Sequence, residues 1–107
     1  MVYNYIGLMY KANKIIIGFD DFKYLNMKKR LYLVLYAQDT SEKLKNKIMH
    51  LSSLSNTICR EYGLKYEFGK SIGKNKEVAV ISIKDKGVAT RLIELIGGEF
   101  IGENASL

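Results

Sequence analysis

Two apolar runs of strand length constrain this chain more than any other feature. Leu31 to Ala37 is free of charge, and the stretch Glu77 to Ile83 carries Val78-Ala79-Val80-Ile81-Ser82-Ile83. Uninterrupted apolar runs this short suit strands that are covered on both faces. Covering both faces takes helices on either side of a sheet, so the remaining sequence has to supply them.

The intervening segments have helical character. Tyr3 to Ala12 reads as a first helix, apolar nearly all round through Tyr5, Ile6, Leu8, Met9 and Ala12, which predicts burial on more than one side. Asn13 tolerates a left-handed conformation and is expected to end it. Ile15-Ile16-Ile17 is a short β-branched strand closed by Gly18. Asp20 and Asp21 then suit a helix N-terminus, and Phe22 and Leu25 carry that helix to about Lys28. Asp39-Thr40-Ser41-Glu42 fits a capping box with Asp39 as the cap. The helix it opens has a stripe at Leu44, Ile48, Leu51 and Leu54. Asn56 to Arg60 reads as a short strand, Tyr62-Gly63-Leu64 as a loop, and Lys65 to Ile72 as a short helix. After the second long run, Asp85-Lys86-Gly87 turns into a last helix with Val88, Leu92 and Ile96, which Gly97-Gly98 should stop.

The order is helix, strand, helix, strand, helix, strand, helix, strand, helix. It predicts an α/β fold with helices on both faces of the sheet and parallel pairing between most neighbours. A chain of 107 residues, about half of them apolar, fits one domain over 1–107, with 98–107 as a loosely held tail.

Several function classes are excluded early. One cysteine, Cys59, makes no internal disulfide, and with one histidine, His50, it makes no structural zinc site. No apolar run reaches the ~18–20 residues of a membrane span, and Met1 to Tyr5 lacks the features of a signal peptide. The expectation is a cytoplasmic protein with no membrane partner. His50 falls on the polar side of its helix, Cys59 reads as an inert thiol, and Asp20 and Asp21 do not share a helix face. No nucleophile–base pair, metal cluster or cofactor site emerges, so no enzyme is expected. Gly69-Lys70-Ser71 resembles the end of a phosphate-binding loop, but the position five residues before Gly69 is Leu64 where that loop needs glycine.

Charge points to a polyanion instead. Seventeen lysines and arginines against eleven acids give a net charge of +6. Lys65, Lys70, Lys74 and Lys76 cluster among Gly63, Gly69 and Gly73, where lysines can neutralise phosphates that the glycines let come close. Tyr62 offers a ring for stacking on an unpaired base.

Four stretches together resemble the L-seven-Ae / L-thirty-e ribosomal protein family, in particular its short bacterial YlxQ-type branch. They are Gly7 to Gly18 (Gly-Leu-Met-Tyr-Lys-Ala-Asn-Lys-Ile-Ile-Ile-Gly), Leu33 to Ser41, Phe68 to Lys74 (Phe-Gly-Lys-Ser-Ile-Gly-Lys) and Val80 to Ala89. They fall in order and cover roughly residues 5 to 97. The resemblance implies a three-layer α/β/α sandwich with a four-stranded mixed sheet. It also assigns Gly69-Lys70-Ser71 to a family turn rather than to a phosphate-binding loop.

The family binds RNA kink-turns through a G-x-N-E motif at the start of the second helix and an apolar loop before the fourth. The motif falls on Gly18, Phe19, Asp20 and Asp21, and the loop on Tyr62, Gly63 and Leu64. By resemblance, Asp21 would accept from a guanine edge. Asp20 stands where the family has asparagine, and Tyr24 stands where it has lysine, with Lys14 and Lys23 nearby in sequence. The expected RNA contacts are therefore Lys14, Gly18, Phe19, Asp20, Asp21, Lys23, Tyr62, Gly63, Leu64, Lys65 and Lys70. The implied partner is structured RNA, ribosomal or in another ribonucleoprotein. The Asp20 and Tyr24 departures motivate the alternative, a protein-interaction module on the same fold with RNA recognition weakened.

Overall fold

The computed structural model describes the backbone of residues 1–105 and the side chains of residues 1–98. Its elements run α1 (Val2–Lys11), β1 (Ile15–Ile17), α2 (Phe19–Met27), β2 (Leu33–Tyr36), α3 (Glu42–Leu54), β3 (Ile58–Glu61), α4 (Lys65–Ser71), β4 (Val80–Ile83) and α5 (Lys86–Ala105). The strands form one sheet in the order β1-β4-β2-β3.

The two apolar runs take the two middle places, and every residue of β2 and β4 is buried. Alternation along each strand divides the core in two. Leu33, Leu35, Ile81 and Ile83 join Ile6, Phe68 and Leu92 under α1, α4 and α5. Val34, Tyr36 and Val80 meet Phe22 and Ile48 under α2 and α3. Three helices on one face and two on the other make the expected three-layer α/β/α sandwich with a mixed sheet. Complete burial of Phe22 and Phe68 stabilises each layer by about 2–3 kcal/mol.

Pairing differs from the prediction of mostly parallel neighbours. Only β2 and β3 pair in parallel; β4 is antiparallel to both β1 and β2. The first three strands do run in one direction, as helical crossovers require. The exception comes from α4. Its seven residues span only about 10 Å, and the chain after it folds back alongside. The Lys74 N–H donates to the Gly69 carbonyl at 2.9 Å, and the Val78 N–H to the Lys65 carbonyl at 3.0 Å. The chain therefore re-enters the sheet from the end at which β3 left it.

Helix ends follow local chemistry. Asn13 ends α1 at φ 61°, as expected. The Asn13 N–H donates to the Tyr10 carbonyl and the Lys14 N–H to the Met9 carbonyl, the Schellman pattern. The same pattern recurs after α2, α3 and α4 with Lys29, Asn56 and Gly73 in the left-handed position. At α3 the predicted cap is corrected. Ser41, not Asp39, is the N-cap, and its Oγ accepts from the Leu44 N–H at 3.3 Å. Asp39 lies two residues too early and is engaged elsewhere. Leu54, predicted on the buried stripe, is 66% exposed because it closes the last turn beyond the reach of the sheet. Leu8 is also exposed, on the outer side of α1, whereas Gly7 is buried against α4.

The predicted stop at Gly97-Gly98 does not occur, and α5 continues through both glycines to Ala105. Neither glycine takes a positive φ. Glycine lowers helix propensity by roughly 1 kcal/mol but does not end a helix unless the backbone turns left-handed. Residues 106 and 107 of the predicted tail lie outside the described residues.

A buried polar cluster ties α2 to the end of α3. Asn26 Nδ2 donates to the Leu51 carbonyl at 2.7 Å, and Thr57 Oγ1 donates to Asn26 Oδ1 at 2.7 Å. Ser55 Oγ accepts from the same amide and donates to the Asn26 carbonyl. This cluster and the Phe22 core hold α2, and hence its N-terminus, at a fixed place beside the sheet.

Candidate nucleic-acid interface

Strand direction gathers several segments at one end of the sheet. β1 leads there into Gly18, β4 begins at Val80, β2 leads into Ala37 and β3 into Tyr62. Backbone bonds link them in that order: the Gly18 N–H to the Val80 carbonyl, the Ala37 N–H to the Ala79 carbonyl, and the Gln38 N–H to the Gly63 carbonyl. Adjacent strands stand about 4.8 Å apart, so the β1 and β3 ends are separated by about 14 Å.

Gly18 is the N-cap of α2, with φ 103° and ψ 153°, and no side chain caps this helix. A Cβ at Gly18 would touch nothing, so its backbone conformation, rather than crowding, calls for glycine there. Asp20 and Asp21 occupy the first turn and are exposed. Phe19 is half-buried, its ring 6.0 Å from that of Phe22. A groove of about 200 Å³ beside this turn is lined by Gly18, Phe19, Leu44 and the segment from Lys76 to Val80. Asp21 lines a different groove, on the β1 edge with Asn13 and Tyr10. Lys23 is exposed one turn further along α2. Tyr24 is exposed too, and Lys28 Nζ sits 5.6 Å from its ring centre.

At the β3 end the loop packs against α1. Gly63 has φ 71°, and a Cβ there would collide with the Tyr3 hydroxyl. The Tyr62 ring is half-buried and packs on that of Tyr3, 5.7 Å between centres. Leu64 is exposed. The Lys65 N–H donates to Asp39 Oδ1 at 2.9 Å, and Lys65 Nζ lies 3.8 Å from Glu77. Lys70 lines a larger groove of about 560 Å³ with Tyr3, Asn4, Leu64, Tyr66, Glu67 and Ser71.

The segment that meets the start of α2 is thus 76–80, with Tyr62 to Leu64 two strands further along. Lys76 is the residue that sequence reasoning left out of the site. It belongs to the basic group read from the sequence, yet only the packing of Gly69 shows where it falls. A Cβ on Gly69 would overlap the Lys76 carbonyl, so the bare glycine lets the returning chain lie directly on α4. Gly69-Lys70-Ser71 is accordingly the last turn of α4, with Ser71 Oγ donating to the Phe68 carbonyl, and it forms no phosphate cradle. Lys14 lies at the opposite end of the sheet. It forms an ion pair with Asp85 at 3.3 Å.

The other titratable groups serve structure. Asp85 Oδ1 accepts from the Val88 N–H at 3.0 Å at the start of α5. That bond, then the one to Lys14, holds its carboxyl below the usual carboxylate value. Burial pushes the Cys59 thiol up, which keeps it protonated near neutral pH. Lys45 Nζ pairs with Glu61 at 2.9 Å, which raises its ammonium pKa. Among the described residues no three His, Cys, Asp or Glu side chains converge on a metal position. No described helix is long and apolar enough to cross a membrane.

A curated relative, the RNA-binding protein YlxQ of Enterococcus faecium, is 33% identical over 96 residues, covering 89% of this chain and 90% of the relative. The chain belongs to the YlxQ family, of L-seven-Ae / L-thirty-e type. Membership matches the resemblance carried by the four sequence blocks. Solved structures show the same fold. A protein of unknown function from Bacillus halodurans C superposes with a TM-score of 0.84 at 24% identity, covering 90% of this chain and 96% of the other. The 15.5kD RNA binding protein of Giardia lamblia superposes with a TM-score of 0.72 at 16% identity, covering 90% and 84%. No family model matches the chain. In this chain two glycines of those blocks have a packing reason. Gly7 faces the Ser71 carbonyl and Gly69 the Lys76 carbonyl, each too close for a Cβ.

Proposed function

We propose that this member of the YlxQ family is an RNA-binding protein that recognises a bent, kink-turn-like RNA as a ribosome-associated, cytoplasmic factor. It acts by binding rather than by turnover, as a single domain. The observation that carries the reading is the uncapped start of α2 at Gly18, which shares a groove with Lys76. Free N–H groups at a helix start favour phosphate, and Lys76, which forms no ion pair among the described residues, adds affinity beside them. The name of the Enterococcus relative supports the same partner. The contact strip runs from Gly18 and Phe19 across Lys76 to Lys65, Leu64 and Lys70. Exposed Asp20 and Asp21 offer acceptors to base edges, and the lysines supply salt-dependent affinity.

The test is binding to a labelled kink-turn RNA at two salt concentrations, beside a control with its tandem G·A pairs replaced. Preference for the intact RNA, lost in Asp21→Ala, is the expected result. Equal, salt-sensitive binding to both RNAs would limit the function to general RNA binding. No binding to either would leave the protein-interaction alternative.

A further inference from the structure

The return of the chain onto α4 creates a second feature, which shares Lys70 with the contact strip but centres on a ring the strip does not use. Tyr66 lies on α4 and is 64% exposed. It stands between two grooves. On one side it lines the 560 Å³ groove with Leu64 and Lys70. On the other it lines a groove of about 210 Å³ with Lys74, Asn75, Lys76 and Glu77. Lys70 is one helical turn from Tyr66 and so shares its face. The bond from the Lys74 N–H to the Gly69 carbonyl fixes the start of the 74–77 segment beside the same helix.

Lysines outnumber acids around this ring. Among the described residues, Lys70, Lys74 and Lys76 have no ion-pair partner. Of the two nearby acids, Glu77 lies 3.8 Å from Lys65 Nζ. Glu67 lines only the groove on the Tyr3 side. The Tyr3 and Tyr62 rings are packed together, whereas among the described residues no ring contact involves Tyr66. An exposed aromatic ring flanked by unpaired lysines is the arrangement that stacks on a base while the cations hold the adjoining phosphates.

We infer that Tyr66 is a stacking platform for an unpaired nucleotide of a single-stranded RNA segment, whose phosphates Lys70 and Lys74 hold. The inference rests on the RNA-binding reading above and extends it to a second chemical class of RNA, a single strand beside the bent element. Every base has a π-face, so stacking on Tyr66 tolerates any base.

The test uses the full chain and a 12-nucleotide, uridine-rich single-stranded RNA carrying one 2-aminopurine. A kink-turn RNA without single-stranded extensions is measured in parallel. Wild type should bind the single strand and quench the 2-aminopurine. Tyr66→Ala should lose the quench and about tenfold in affinity for the single strand, with unchanged affinity for the kink-turn RNA. Tyr66→Phe should keep both, and equal melting temperatures would show all three proteins folded. Single-strand binding that ignores Tyr66→Ala overturns the platform. Kink-turn binding without single-strand binding overturns the platform and leaves the RNA-binding reading. Tyr66-dependent single-strand binding without kink-turn preference upholds the platform and removes the bent-RNA reading. Binding to neither RNA overturns both.

Discussion

The Asp39 carboxylate accepts the backbone N–H of Lys65 at 2.9 Å, across 26 positions of sequence. One side chain from the β2–α3 connection thereby holds the first N–H of α4. Two further backbone bonds converge here, from Gln38 to Gly63 and from Val78 to Lys65. Together they fix the β3–α4 loop against the segment that carries Lys76.

Removing this acceptor should loosen the loop. Asp39→Ala is expected to cost about 1 kcal/mol of stability, in the range of a lost helix cap. It should also speed hydrogen exchange at the Lys65 amide. Asp39→Asn keeps an acceptor oxygen and should restore most of both. Urea unfolding and amide exchange check this, and unaltered exchange at Lys65 in Asp39→Ala would refute it.

Gly69 tests the packing of the returning chain. Helix propensity alone favours alanine over glycine by about 1 kcal/mol. Against this, the new Cβ would overlap a backbone carbonyl, that of Lys76, which has no flexible end to move away. Overpacking against a fixed carbonyl lies at the upper end of about 1–3 kcal/mol, so a net loss of about 1–2 kcal/mol is expected for Gly69→Ala. RNA affinity should fall with it, because Lys76 is displaced. A stabilised Gly69→Ala protein in a thermal melt would contradict the arrangement.

Asp85 gives a pH dependence with a defined sign. Its carboxyl is held below the ordinary value of 3.8, first by the Val88 N–H and then by Lys14. A depressed carboxylate stabilises the folded state above the ordinary value, and the contribution disappears as the pH falls through the lowered one. Asp85→Asn should therefore melt below wild type at pH 5, with the gap closing as the pH falls below 3.8 and through the lowered value. Parallel melting profiles at all pH values would rule this contribution out.

Lys76 and Lys14 separate the two ends of the sheet. Lys76→Gln should weaken RNA binding several-fold and lower the salt slope by about one, the mark of one lost phosphate contact. Lys14→Gln should leave the slope unchanged, because Lys14 sits at the far end beside Asp85. Salt titrations of both variants decide it, and equal slopes would remove Lys76 from the contact strip.

Much of this was already present in the one-dimensional pattern. Leu31 to Ala37 and Glu77 to Ile83 marked the two central strands, because a run with no polar side has to be covered on both faces. Asn13 marked the end of α1, because asparagine tolerates the left-handed turn there. Four blocks in order identified the family. Tertiary structure decided the rest. β4 runs antiparallel because seven-residue α4 is too short to carry the chain across the sheet. Asp39 leaves its own helix to Ser41 because it meets the start of α4, a contact between residues far apart in sequence. Lys76, rather than Tyr62, reaches the start of α2 because Gly69 admits the Lys76 carbonyl where any side chain would exclude it. Local propensity acts over a few neighbouring residues and can be read along the chain. Which distant backbone a bare glycine receives, and which strand a short helix returns, exist only once the layers have packed.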